Sequence, residues 1–382
     1  MLDVLLTGSV AFIITFLAVP VLLEIAESKK LYDLPNDRKI HARPVASLGG
    51  VGIFAGFLLA ALLSIPEYAN PEFQYFFAAA LVIFFLGLKD DLIVLSAFKK
   101  IIGQVIAASI LIHLGGIKLT SLHGLFGFYE VPEAFGLALS YLTIIVVINS
   151  FNLIDGIDGL AGSLGVLTMV VFGTYFYMAD QFSYSLLAFS MCGSLLAFLI
   201  FNHHPAKIFM GDSGSLMIGL VNAILVIKFI NVADAPGAVV PVLSPVAVGV
   251  AIMMVPLFDT LRVFSIRILN GRSPFTPDRN HVHHLMLNKG MNHASVTGSC
   301  VLINIFFIIL AYYGKSWGAN YLLIVMLSLA FGGISLLLYY RKPRRKMVVA
   351  KTIEIDTALK ADFKSAPKVV TLAKEAAVAE HK

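Results

Sequence analysis

The sequence predicts an all-α polytopic integral membrane protein of about eleven transmembrane helices, and three observations carry that prediction. The chain is 58% hydrophobic and 13% charged, whereas soluble domains are about 45–50% apolar and 25% charged. Its apolar residues fall in long runs instead of amphipathic periods. Its Lys and Arg gather in alternate connections between those runs, the asymmetry that sets membrane orientation. A net charge of +5 distributed this way reads as topology and argues against nucleic-acid binding.

Stretches of spanning length, about 17–25 residues, cover 2–24, 46–65, 72–88, 101–117, 136–151, 160–179, 184–202, 213–231, 239–262, 297–314 and 320–340. The first opens with Met1-Leu-Asp and lacks the basic region of a cleavable signal. Lys29, Lys30, Arg38, Lys39 and Arg43 follow the first run, and Lys89, Lys99 and Lys100 follow the third. Lys207 follows the seventh, Arg262 to Lys289 the ninth, and Arg341 to Lys346 the last. The alternate connections are poor in Lys and Arg, so the N-terminus is expected outside and the C-terminus in the cytoplasm. Residues 1–346 read as one membrane domain. Residues 347–382 read as a cytoplasmic tail, either disordered or a short helix. Cys192 and Cys300 lie in apolar runs without disulfide-type or metal-type spacing.

This topology collects the polar stretches on one side. Asn149 to Gly162 places Asp155 and Asp158 between two apolar runs, and a carboxylate at bilayer depth costs roughly 2.5–3.5 kcal/mol. Their i, i+3 spacing puts them on one side if a helix starts there; an ordinary Asp-Gly turn is the plainer alternative. Asp90 and Asp91 close the third run, and as helix neighbours they face one ligand only at a helix end or break. Lys99 or Lys100 then neutralises phosphate or marks the inner face. Asp212, between Gly211 and Gly214, is either a helix N-cap or a ligand for a hard cation, with Asn152 as a companion oxygen donor. Arg279, His281, His283 and His284 fall in a basic loop suited to phosphate, with zinc and lipid headgroups as rival ligands. Gly49-Gly50 at the start of the second run has no topological reason.

Five pieces in order resemble the polyprenyl-phosphate N-acetylaminosugar-1-phosphate transferases, glycosyltransferase family 4, in the WecA/TagO-like branch. They are Arg38-Lys-Ile-His41 with Gly49-Gly50, Asp90-Asp91, Asn152-Leu-Ile-Asp-Gly-Ile-Asp-Gly159, Phe209-Met-Gly-Asp-Ser-Gly214, and Ser273-Pro-Phe through His284. The resemblance implies transfer of an N-acetylaminosugar-1-phosphate, most often GlcNAc-1-phosphate, from a UDP-sugar to undecaprenyl phosphate with release of UMP, starting a lipid-linked surface polysaccharide. It implies Mg²⁺ or Mn²⁺ held by Asn152 and Asp212, and Asp90, Asp91 and His281 as catalytic groups. Asp155, Asp158, Lys99, Lys100, Arg279, His283 and His284 become substrate-binding. The implied partners are the UDP-N-acetylamino sugar, undecaprenyl phosphate and membrane lipid, with room for a homodimer. The implied place is the bacterial inner membrane, with the site facing the cytoplasm.

Readings from other classes fit less well. A secondary transporter would carry repeats and midplane binding groups, whereas these residues sit at one end of the spans. An intramembrane metalloprotease would need His-Glu-x-x-His, which is absent.

Overall fold

The computed structural model describes residues 1–33, 45–66, 70–273 and 280–339. By its contacts the chain divides into Met1–Tyr340 and Arg341–Lys382. The second unit, and with it the expected boundary at 346, lies outside the described residues.

Each expected apolar run contains a helix, although the ninth is non-helical over 239–244 and is broken after Ile252. α1 spans Leu2–Lys29, α2 Gly49–Ser64, α3 Phe73–Leu92, α4 Ala97–Ser109 with a π turn to Leu114, and α5 Glu133–Ile154. α6 spans Leu160–Met178, α7 Phe182–Asn202, α8 Gly211–Ala233, α9 Pro245–Ile252 and α10 Met254–Leu269. The short α11, Val282–Asn288, precedes α12, His293–Gly314, and α13, Ala319–Tyr339. Eight of these helices are long and apolar enough to cross a membrane, or nine if α9 and α10 form one bent span. Eleven were expected. α2 has 16 residues, about 24 Å of helix against a hydrocarbon core of about 30 Å. The ninth run is broken by 87°. Two small antiparallel pairs also depart from a purely helical fold: β1 (Tyr32–Asp33) with β2 (Val45–Ala46), and β3 (Ser121–Leu125) with β4 (Phe128–Glu130).

The break has a local cause. Pro256 has no N–H to donate, and its ring would collide with the carbonyl four residues back, at Ile252, where α9 ends. Asn304 of α12 repairs the freed groups, accepting from Val255 N at 3.0 Å and donating to Ile252 O at 2.8 Å. Non-helical backbone inside a membrane survives only when another element satisfies it in this way.

α8 is the central helix. Beyond its first turn it is mainly apolar, with Asn222, Lys228 and Asn231 as exceptions, as suits an enclosed helix, and it packs against α2, α3, α5, α6, α7 and α9. α1 and α13 form the rim, with most of their apolar surface turned outward. The glycine pair now has a reason. Gly49 N and Gly50 N donate to the carbonyls of Phe209 and Met210 at 2.9 and 2.8 Å. A Cβ on Gly50 would overlap the backbone of Gly214. The start of α2 is thereby pressed onto the start of α8, beside Asp212. Cys192 and Cys300 are buried and free.

Candidate active site

The C-terminal ends of α3, α5 and α7 meet the N-terminal ends of α4, α6 and α8. That convergence gathers most of the polar residues singled out above. Asp90 and Asp91 occupy the last turn of α3, and the break after it directs them apart. Asp90 accepts from Leu95 N at 2.6 Å and pairs with Lys100 at 2.7 Å. Lys100 also reaches Asp212 at 2.6 Å, so one ammonium joins two carboxylates. The other oxygen of Asp212 accepts from the Asn152 amide at 3.0 Å, and that amide also donates to Ser215 Oγ at 3.0 Å.

Asp91 turns toward the N-terminus of α8. It accepts from Asp212 N at 2.6 Å, Ser213 N at 3.1 Å and Ser213 Oγ at 2.6 Å. It therefore caps α8 from another helix, in the role that Asp212 was weighed for, and it leaves Asp212 free to face Lys100 and Asn152. The approach requires glycine at two places. A Cβ on Gly87 would stand 2.5 Å from Ser213 N, and one on Gly211, where φ is +72°, would stand 2.6 Å from the Asp91 carboxylate. Lys100 enters the cluster, whereas Lys99 is exposed.

Asp155 and Asp158 share no helix face. α5 ends at Ile154 and α6 starts at Leu160, so both lie on a linker that Gly159 turns at φ 76°. Asp155 points to the carboxylate cluster. Burial, then the charges of Asp212, Asp91 and Asp158, push its carboxyl up to about 8. Asp158 points the other way. Its Oδ2 is reached by His204 Nδ1 at 2.7 Å, Ala206 N at 3.2 Å and His293 Nδ1 at 3.5 Å. Burial opposes its charge, but the contacts from His293, His204 and Ala206 hold its carboxyl down to about 2. Asn202 fixes the same linker, accepting from Gly159 N and donating to Ile208 O, each at 2.8 Å.

The histidine loop divides as well. Arg279 lies outside the described residues. His281 is 5% exposed and gives Nδ1 to the buried Asp259 of α10 at 2.8 Å. Asp259 also accepts from Val282 N at 2.9 Å and from Arg262 at 3.0 Å, and Arg262 in turn holds the carbonyl of Asn280. His283 is 1% exposed and lies against Gly156, where a Cβ would overlap its Nε2. Burial, then the charge of His284, pushes its imidazole down to about 3, so His283 is neutral at physiological pH. His284 stacks obliquely on His283 at 4.4 Å between ring centroids.

The profile of glycosyl transferase family 4 matches residues 73–230, from α3 through α8. The chain is 30% identical to an undecaprenyl-phosphate alpha-N-acetylglucosaminyl 1-phosphate transferase of Escherichia coli O157:H7, over 92% of this chain and 95% of that one. The chain belongs to glycosyl transferase family 4. It is 31% identical to a probable undecaprenyl-phosphate N-acetylglucosaminyl 1-phosphate transferase of Bacillus subtilis strain 168, over 83% of this chain and 88% of the relative. It is 32% identical to a decaprenyl-phosphate N-acetylglucosaminephosphotransferase of Mycobacterium leprae, over 77% and 79%.

In this family 4 chain, four partners of the expected residues escaped the sequence reading: Asp259, Arg262, His204 and His293. Asp259 did carry a signal, as a carboxylate inside an apolar run. His293 carried none, because its partner Asp158 is on a different helix connection.

The cluster suits a hard divalent cation. Asp90, Asp155 and Asp212 bring three carboxylates together with Asp91 behind them, and Lys100 is the cation paired with Asp90 and Asp212 among the described residues. Burial first, and the neighbouring carboxylates after it, raise the proton affinity of Asp155. The donors are carboxylate and amide oxygens, the set that Mg²⁺ and Mn²⁺ prefer.

Proposed function

We propose that this chain transfers GlcNAc-1-phosphate from UDP-GlcNAc to undecaprenyl phosphate, releasing UMP and starting a lipid-linked surface polysaccharide. The observation that carries the reading is the Lys100 ammonium bridging Asp90 and Asp212, at the convergence of six helix ends. Family membership and the activity named for its relatives support the reaction class. Undecaprenyl is preferred over decaprenyl because the Escherichia and Bacillus relatives bear that name.

In the reaction, an oxygen of the lipid phosphate attacks the phosphorus that carries the sugar. The bond from that phosphorus to the UMP oxygen breaks, and UMP leaves with the electron pair. Positioning and charge neutralisation supply most of the acceleration. The acceptor needs no strong base, since a phosphate monoester with a second pKa near ~6 is largely dianionic at pH 7. Asp90 and Lys100 orient the acceptor phosphate. Asp91 acts one step back, by holding α8 and hence Asp212 in place. Asp212 and Asn152, with Asp155 as a further carboxylate, would hold Mg²⁺ or Mn²⁺, and a bound ion would neutralise charge on the diphosphate. Asp158 with His204 and His293 forms the nucleotide end of the cleft. His281, braced by Asp259, stands at the diphosphate together with His284, and Arg279, which lies outside the described residues, is a further ligand for that charge.

The distribution of Lys and Arg supports eleven crossings, with the site facing the cytoplasm of a bacterial inner membrane. In that arrangement α2, α3 and the bent α9–α10 pair complete the count.

The test uses membranes carrying the protein, undecaprenyl phosphate, Mg²⁺ and a panel of UDP-N-acetyl sugars, with UMP release and lipid-linked product both scored. Product from UDP-GlcNAc that disappears on chelation or with Asp212→Ala is the expected result. Folded protein that yields no product with any sugar overturns the assignment.

A further inference from the structure

A polar cavity of about 320 Å³ lies at the opposite end of the bundle from the carboxylate cluster, lined by Glu72, Gly115, Gly116, Ile117, Tyr184, Lys228, Asn231 and Val232. Its position follows from the helices. Glu72 precedes α3 and Tyr184 lies in the first turn of α7, while Gly115 follows the π turn after α4 and Lys228 lies near the end of α8. In each of these helices the other end faces the carboxylate cluster. Lys228 is 16 residues along α8 from Asp212, which is about 24 Å of helix.

Lys228 is the unusual group. It is the charged residue of α8 beyond the first turn, in a mainly apolar stretch where a charge is costly and normally has a partner. Its ammonium lies over the Tyr184 ring at 4.6 Å. Among the described residues it makes no hydrogen bond or ion pair. Glu72 lines the same cavity, and its contact there is a marginal one, from the Tyr184 hydroxyl at 3.5 Å. A cation and an anion therefore face one space without closing on each other. Asn231 is already used, donating to Lys118 O at 2.8 Å. Leu114, next to Gly115, is 58% exposed and offers apolar surface beside the opening.

A purely anionic ligand would satisfy Lys228 and be repelled by Glu72; a cation would do the reverse. A zwitterion with its charges a few bonds apart satisfies both. At the ends of membrane helices, the zwitterion at hand is a phospholipid headgroup. We propose that this cavity is a headgroup site for an aminophospholipid of the phosphoethanolamine type, its phosphate on Lys228, its ammonium on Glu72 and its acyl chains along the surface at Leu114.

The full-length protein, purified in detergent and stripped of lipid, would be titrated with phosphatidylethanolamine, phosphatidylglycerol, soluble phosphoethanolamine or inorganic phosphate. Bound lipid would be counted by native mass spectrometry and thermal unfolding followed in parallel. The expected result is one retained phosphatidylethanolamine and a raised unfolding midpoint, with phosphatidylglycerol weaker. Lys228→Met and Glu72→Gln should each weaken retention about tenfold, the loss of one charge-assisted contact. The intact protein alone can overturn the proposal, whatever the variants do to folding. Equal retention of both lipids, retention of neither, or binding of inorganic phosphate as tight as that of the lipid would each do so. Because GlcNAc-1-phosphate transfer is assayed separately at the other end of the bundle, failure here leaves the proposed reaction standing.

Discussion

The Asp91 carboxylate accepts the Asp212 amide at 2.6 Å, tying the last turn of α3 to the first turn of α8. Two adjacent aspartates thus divide the labour, Asp90 in the cluster and Asp91 behind it. Asp91→Ala should lower both the unfolding midpoint and the activity, since losing a helix cap costs about 0.5–2 kcal/mol. Asp90→Asn should abolish UMP release with little change in melting. Thermal unfolding run beside the transfer assay checks both, and a melt unchanged by Asp91→Ala would refute the capping role.

Lys100 and Lys99 are neighbours with opposite surroundings, one shared between Asp90 and Asp212 and the other in solvent. Lys100→Met should cost about 10²-fold or more in turnover, the scale of losing one preorganised charge at a reacting phosphate. Lys99→Met should stay close to wild type. Equal losses would mean that the helix carries bulk charge and no specific contact.

Asp259 holds His281 at 2.8 Å, so if His281 acts in the proposed reaction the two should not behave independently. Asp259→Asn and His281→Ala should each lower turnover, and the double variant should be no worse than the poorer single one. A coupling energy of about 0.5–3 kcal/mol in a double-mutant cycle is expected for such a contacting pair. Strict additivity would separate them.

Gly156→Ala places a methyl where His283 Nε2 lies. Overpacking of this kind costs about 1–3 kcal/mol, and here it would also part the histidine loop from the Asp155 linker. Reduced activity with a lowered unfolding midpoint is the expected pair of readings. A fully active, equally stable variant would show that this contact is dispensable.

The carboxyl of Asp155 is raised to about 8 in the fold, whereas an unfolded Asp titrates near ~3.9. Between those values the folded chain holds a proton that the unfolded chain has released. In chelator, the stability contributed by this group is therefore fully present below about pH 4 and lost as pH rises toward 8. Unfolding measured from pH 6 to 9 should show that decline in wild type and a flatter profile in Asp155→Asn. A divalent ion competes with the same proton, so its binding should tighten across that range.

Membrane class, the approximate position of most apolar runs and the gathering of polar motifs at one end were legible from composition and spacing, whereas the break in the ninth run was not. These properties are additive along the chain: each residue brings its own transfer energy, and a run of them sums to a helix in lipid. Asp90, Asp91, Asn152, Asp155, Asp158, Asp212 and the histidines were named by short contiguous motifs through the resemblance to the family.

Partnership was decided by the tertiary structure. That Asp91 caps a helix 121 residues away, that Lys100 enters where Lys99 does not, and that Asp158 meets His204 and His293 all depend on which helix ends converge. The bend at Met253 sets the direction of α10, and so brings Asp259 to His281. Periodicity records which side of a helix is apolar but says nothing of what lies across from it; steric packing around α8 supplies that.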